Sequence, residues 1–226
     1  MTKQIFSPTA GLLLAISTFG QTQKATLDVV VKNRSNERIP NDKITFIGQE
    51  SRLEVVGITD ANGEFVVQLP AGDDYAIKVE MIGKELDYNT FGVPSPPPGA
   101  VFKPVTLEII YELPTSFVLE DLYFESGQYS IKKKSYDGLN KLADYLVRKG
   151  VMNIRIDGYT DSDGSESSNQ TLSANRSSAV KKYLVRKGVS ANRIKTVGKG
   201  ELDPIASNDS PDGKAKNRRT EIHIIE

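Results

Sequence analysis

The 226-residue chain contains no cysteine. That absence excludes disulfide frameworks, thiolate metal sites, cysteine nucleophiles and lipid attachment through an N-terminal cysteine. Charge of either sign is not in excess, because 29 basic residues face 29 acidic ones. Without a basic field, nucleic acid is not an expected partner, and any bound anion has to be captured by a few placed groups. Histidine occurs once, as His223. It falls in the alternating stretch RTEIHII, which reads as an ordinary strand position and not as a catalytic base. No apolar run reaches the roughly 20 residues that a membrane-spanning helix needs.

What is present starts with MTKQIFSPTAGLLLAISTFGQTQ, where Lys3 precedes an apolar run from Ala10 to Phe19 that ends among small residues. Residues 1–21 are read as a secretory signal peptide cleaved near Gly20 or Gln21, with an uncleaved anchor as the alternative. The expected mature product is an exported chain with no transmembrane span. Its length leaves room for two modest cores.

The first half, residues 24–112, reads as all-β. LDVVVK, KITFIG, LEVVGIT, EFVVQLP, YAIKVEMIG and VTLEIIYEL are short β-type runs. TDANGEF between two of them has the chemistry of a tight turn. Four prolines in PSPPPG (94–99) remove ladder donors and predict an extended loop. The spacing suggests a small sandwich. Asp60, Asp73 and Asp74 are read as turn formers and not as metal ligands.

Residues 113–118, LPTSFV, are read as the linker, and 119–226 as a second domain in which strands and helices alternate. Leu139, Leu142, Ala143 and Leu146 recur at helical spacing, and Gly150 is placed to end that helix. MNIRIDGY is a strand. NQTLSANRSSAVKKYLVRKG is a second helix ending at Gly188, with Asn169 as its expected N-cap. RIKTVGKG and RTEIHII complete a β-α-β-α-β-β order, one mixed sheet with two helices. The fold class expected for the whole chain is therefore α+β, an all-β sandwich followed by an α/β sandwich.

One residue breaks the second helix's pattern. Leu172, Ala179, Val180 and Tyr183 make the expected inward stripe, and Arg176 lies on it, four residues after Leu172. Burying a guanidinium without a partner costs several kcal/mol, so an internal carboxylate or an external anion has to meet it. Asp161, just past the strand MNIRIDGY, is the expected neighbour. The residues leave two readings open: Asp161 and Arg176 pair with each other, or together they hold a ligand.

GITDANGEFVVQLPAGDDYAIKVEMIG resembles carboxypeptidase-regulatory-like and transthyretin-like β-sandwich modules, a resemblance that implies a spacer or docking surface without catalytic residues. YFESG, GYTDSDGS, N-x-x-LSANR and GKGELDPIASN leading to KAKNRRTEIHI resemble, over about residues 117–226, the OmpA-like peptidoglycan-binding domain. This second resemblance implies noncovalent binding of the diaminopimelate-bearing stem peptide of the cell wall, with no catalysis, cofactor or metal. It assigns the diaminopimelate to Asp161 and Arg176. Thr160, Leu172 and Ser173 are then expected to shape the pocket, and Asn217 and Arg218 to brace the loop or contact the peptide. The family often has histidine where this chain has Tyr159, and Phe-Asp where this chain has Phe124-Glu125, so the longer Glu125 is expected at the pocket rim. The implied setting is the periplasm of a Gram-negative-type envelope, close to the outer membrane, with an outer-membrane protein partner for the β-sandwich.

Competing assignments are weaker on the residues themselves. Asp161 and Asp163, neighbours on one loop, are poorly placed to flank a glycosidic bond. DSDGSES resembles the opening of a calcium loop but lacks the distal bidentate glutamate. An envelope scaffold whose β-sandwich docks a specific protein, with wall binding secondary, is the alternative function.

Overall fold

The computed structural model describes residues 12–14, 23–120, 122–125 and 127–225. Most of the expected signal peptide lies outside the described residues. Within it, the short strand β1 (Leu12–Leu14) pairs antiparallel with β8 (Ala100–Phe102). No helix among the described residues is long and apolar enough to cross a membrane. The chain divides into two compact units: one ends at Glu112, and the other comprises Leu113–Glu226 together with Ile82–Lys84.

In the first unit, β2 (Lys24–Lys32) lies between β5 (Glu64–Pro70) and β9 (Val105–Ile110) in a three-stranded sheet. A four-stranded sheet has the order β4 (Glu54–Ile58), β3 (Lys43–Gly48), β6 (Asp73–Met81), β7 (Lys84–Val93). Alternate residues of these strands are buried: Leu27, Val29 and Val31 on β2, and Tyr75, Ile77 and Val79 on β6. Each such side chain contributes about 1.5–3 kcal/mol through burial. Phe46 of β3 and Phe65 of β5 meet edge to face at 6.5 Å. Tyr75 is fully buried, and its hydroxyl donates to the Pro70 carbonyl at 2.9 Å, which locks the Pro70-Ala71-Gly72 turn.

Two strands depart from the sequence expectation. β7 was not anticipated, because KELDYNTFGV is an edge strand exposed on both faces and so shows no alternation. β8 is only three residues long and follows the proline loop. Two of the acidic residues singled out above, Asp60 and Asp73, hold turn backbone. Asp60 accepts from the Asn62 and Glu64 amides at 2.8 and 2.9 Å. Asp73 accepts from the Ser51 hydroxyl at 2.6 Å and from the Ser51 and Glu50 amides.

In the second unit the sheet order is β10 (Ser116–Val118), β13 (Thr220–Ile225), β11 (Asn153–Gly158), β12 (Ile194–Gly198). β13 is antiparallel to both neighbours, and β11 and β12 are parallel. Strand β10 thus lies inside the segment read as a linker, because Phe117 pairs with Ile222 in the middle of β13. The chain leaves this sheet after Leu119, whose amide still reaches the Thr220 carbonyl.

Helix α1 (Tyr136–Lys149) buries Leu139, Leu142, Ala143 and Leu146 as its spacing requires, and Gly150 caps it. Helix α2 (Glu166–Arg186) begins at Ser165 and not Asn169, since the Ser165 hydroxyl accepts from the Ser168 amide at 3.2 Å. A third helix, α3 (Pro211–Asn217), was not foreseen. It carries a legible start, with Ser210 as N-cap and Pro211 in the first turn, but offers only seven mostly polar residues. The two long helices share a core with Ile154, Ile156, Ile194 and Ile222 of the sheet.

The buried stripe of α2 is also not the one expected. It runs through Asn169, Ser173, Arg176, Ser177, Val180, Tyr183 and Leu184, while Leu172 and Ala179 are only half-buried. Small polar residues face inward because helix and sheet approach closely. A Cβ on Gly158 would lie 2.5 Å from the Ser173 carbonyl oxygen, and one on Gly198 2.6 Å from the Ala174 nitrogen. Only glycine permits that contact.

Two outcomes are expected. Gly158→Ala forces the α2 backbone off the sheet and lowers stability by about 1–3 kcal/mol, read as a fall in the unfolding midpoint of the second unit. In the first unit, hydrogen bonds from Ser51 and Glu50 hold the Asp73 carboxyl down to about 2, against a usual 3.8. Folding therefore favours the ionised form; its contribution is complete above pH 4 or so and is lost as pH falls through about 2. The stability gap between wild type and Asp73→Asn should be widest near neutral pH and narrow in that window. A gap independent of pH would show that the charge plays no part.

Candidate functional site

Strand β11 ends at Gly158, and the chain continues through Tyr159, Thr160 and Asp161 in front of the first turns of α2. The Thr160 amide donates to the Gly200 carbonyl at 2.7 Å, and the Gly200 amide donates to the Ser173 hydroxyl at 2.9 Å. Asn169, in place of capping the helix, donates to the Asp161 carbonyl at 3.2 Å and to Glu201 at 2.8 Å. Its side chain is the element the sequence reading missed: it fastens α2 to both loops that flank the site.

Asp161 and Arg176 are each 8% exposed, but they do not pair with each other. The Asp161 carboxylate accepts from Arg218 Nη1 at 2.5 Å, and its other oxygen receives the Asp163 amide at 3.3 Å. The arginine that meets Asp161 therefore comes from the end of α3, not from α2. Arg176 donates through Nε to the Gln128 carbonyl at 3.0 Å and sits 5.0 Å from the centre of the Phe124 ring. Among the described residues no carboxylate lies within 4.0 Å of its guanidinium. Burial pushes the Arg176 pKa down, the like charge of Arg218 adds to that, and Asp161 opposes it. One carboxylate and two guanidiniums thus share a partly desolvated cleft.

The remaining candidates fall into two sets. Phe124 supplies the ring beside Arg176, and Arg218 the cation on Asp161. Thr160 is buried, and among the described residues its hydroxyl has no hydrogen-bond partner. Ser173, Leu172 and Asn217 form the second set. Ser173 links α2 to Gly200, and Leu172 is half-buried. Asn217, 1% exposed, accepts from the Ile205 and Ala206 amides and donates to Ala206 and Asn208, so it braces the loop. Glu125 is not among the groups gathered there. It is exposed and pairs with Lys132 at 3.4 Å.

The acidic loop residues meet cations of the chain itself. Asp163 accepts from Lys214 of α3 at 2.7 Å, as Asp161 does from Arg218. Among the described residues no group of three or more acidic or histidine side chains is arranged to hold a metal ion. Away from the cleft, Tyr159 lies under Arg219, whose guanidinium carbon is 3.7 Å from the ring centre, and its hydroxyl donates to Glu221 at 3.3 Å. Burial pushes the Tyr159 phenol up to about 12, helped by the charges of Glu221 and Asp157. His223 is half-buried, 3.4 Å from Asp157 and 3.3 Å from Glu221.

Against known proteins, the OmpA family matches residues 123–218. The chain is 48% identical over 101 residues to "Peptidoglycan-binding protein ArfA" of Mycobacterium tuberculosis H37Rv, a match covering 45% of this chain and 31% of that one. It is 42% identical over 105 residues to "Outer membrane protein A" of Bordetella avium, covering 46% and 54%. Among solved structures, the peptidoglycan-associated lipoprotein of Burkholderia pseudomallei is 28% identical, with 50% of this chain and 91% of that one covered and a TM-score of 0.45. The chain spans 31% to 54% of the length of the curated relatives named here. Residues 123–218, which include Asp161, Arg176 and Arg218, are an OmpA family domain.

Proposed function

We propose that the second unit binds peptidoglycan noncovalently and without catalysis, by gripping the zwitterionic end of diaminopimelate in the stem peptide. The observation that carries this reading is Arg176, a buried guanidinium that has a carbonyl and a ring for neighbours but, among the described residues, no carboxylate. Its planar fork suits a carboxylate bidentately. Asp161 suits the adjacent ammonium, and it exchanges Arg218 for the ligand when the ligand enters. Arg218, with a side chain 44% exposed, then remains near the ligand's carboxylate as a second positive charge. A relative named for peptidoglycan binding supports the ligand class.

The same reading places the protein in the periplasm, held to the wall by this unit, with the β-sandwich as the part that engages an outer-membrane protein. A tether of that kind needs no cofactor and no bond-making residue.

The test is retention on purified diaminopimelate-type sacculi. Arg176→Ala and Asp161→Ala should each weaken binding about ten- to a hundredfold, the equivalent of one lost charge-assisted hydrogen bond, with folding verified by circular dichroism. Lysine-type wall, whose side chain ends in an ammonium without the carboxylate, should bind more weakly than diaminopimelate-type wall. Equal retention of wild type and both variants would remove the assigned roles, and equal binding of the two wall types would remove diaminopimelate as the ligand.

A further inference from the structure

The hairpin that meets Arg176 carries an aromatic side chain that the cleft does not use. Phe124 and Ile131 form an antiparallel bridge and pack against the core of the unit. Between them the Glu125 amide donates to the Ser130 carbonyl and the Gln128 amide to the Glu125 carbonyl, both at 3.0 Å. Below the bridge the Lys132 amide donates to the Tyr123 carbonyl at 2.9 Å. The far end is fixed by Arg176 on the Gln128 carbonyl. A loop held at both ends presents its side chains with little ordering left to do on binding.

The next residue is Tyr129, 55% exposed. The other tyrosines of this unit have occupied rings or are buried. Lys134 sits 3.2 Å over Tyr123, Tyr136 stacks on Tyr183 at 5.2 Å, Arg219 lies on Tyr159, and Tyr145 is fully buried. Among the described residues the Tyr129 ring meets neither another ring nor a cation. Its neighbours Gln128 and Ser130 are exposed, and among the described residues no side-chain hydrogen bond engages their amide or hydroxyl. An apolar ring face with an amide and a hydroxyl on the adjacent residues is the chemistry that recognises a hexose, whose C–H face stacks while its hydroxyl and acetamido groups take hydrogen bonds.

We propose that Tyr129, with Gln128 and Ser130, forms a sugar subsite for an N-acetylated hexosamine of the glycan strand, contiguous with the Asp161/Arg176 cleft. The proposal rests on the wall-binding reading above. Distance favours it: a stem peptide is joined to its sugar only a couple of residues from the diaminopimelate, and each residue spans at most about 3.5 Å. Tyr129 is one residue from the carbonyl that Arg176 holds, so a ligand seated on Arg176 brings its sugar within reach of the ring.

Calorimetric titration of the full chain with two ligands tests this: a diaminopimelate stem peptide carrying its disaccharide, and the same peptide without sugar. Wild type should bind the sugar-bearing ligand about five- to tenfold more tightly, on the scale of one aromatic contact. Tyr129→Leu should erase that difference and leave affinity for the bare peptide unchanged, and Tyr129→Phe should retain it. Equal affinity of wild type for both ligands, or a difference that survives in Tyr129→Leu, overturns the sugar subsite while the cleft stands. Binding of neither ligand overturns the reading of the cleft, and the subsite with it.

Discussion

The second unit depends on how closely α2 lies against the ends of β11 and β12. Gly158 and Gly198 leave room for the helix backbone where any side chain would meet it, and the inward positions of the helix are accordingly serines. Once that contact forms, Ser173 reaches Gly200 and Asn169 reaches Asp161 and Glu201. Arg176, one turn further along, is carried to the 124–131 hairpin. A looser packing built on Leu or Val would keep a hydrophobic core but lose the registry of the charged groups. The site's geometry is therefore decided by backbone approach before any of its own side chains interact.

Electrostatically the cleft is unbalanced by design of its parts. Asp161 is neutralised by Arg218, whereas among the described residues Arg176 has only a carbonyl dipole and the face of Phe124. A cation over a ring recovers about 0.5–2 kcal/mol depending on how dry the site is, less than the desolvation of a guanidinium costs. The protein is less stable for holding Arg176 there than it would be with a closed ion pair. Under the proposed wall-binding reading, such a deficit is what the ligand's carboxylate relieves.

Much of this was legible in the sequence because it is written in periodicity and punctuation. The spacing of Leu139, Leu142, Ala143 and Leu146 specifies α1, and alternation specifies the central strands. Arg176 was conspicuous as a charge at an inward helical position, and it is indeed buried there. Its neighbours were not legible. The Gln128 carbonyl is a backbone group that any residue would supply, and the swap of Arg218 for Arg176 as the partner of Asp161 depends on α3, a helix too short and polar to show a period. The α2 stripe was misplaced for a related reason: hydrophobic patterning finds faces that bury by size, and this face buries by closeness, through serines against glycines. β7 escaped because an edge strand wet on both sides has no alternation to detect.

That edge strand has a bearing on how the protein behaves in a crowded compartment. Its ten residues form the last strand of an open sheet, and an outer border of unsatisfied amides and carbonyls is a template for a neighbouring molecule's strand. The charges along it blunt that hazard. Lys84, Glu85 and Asp87 line the first half, with Glu85 and Asp87 tied to Lys43 and Lys78 at 2.9 and 3.6 Å, and Pro94 follows immediately at its end. An intruding strand would have to strip water from these groups and break the ion pairs to zip up alongside. The same polar composition that hides β7 from pattern reading disfavours strand addition along this edge.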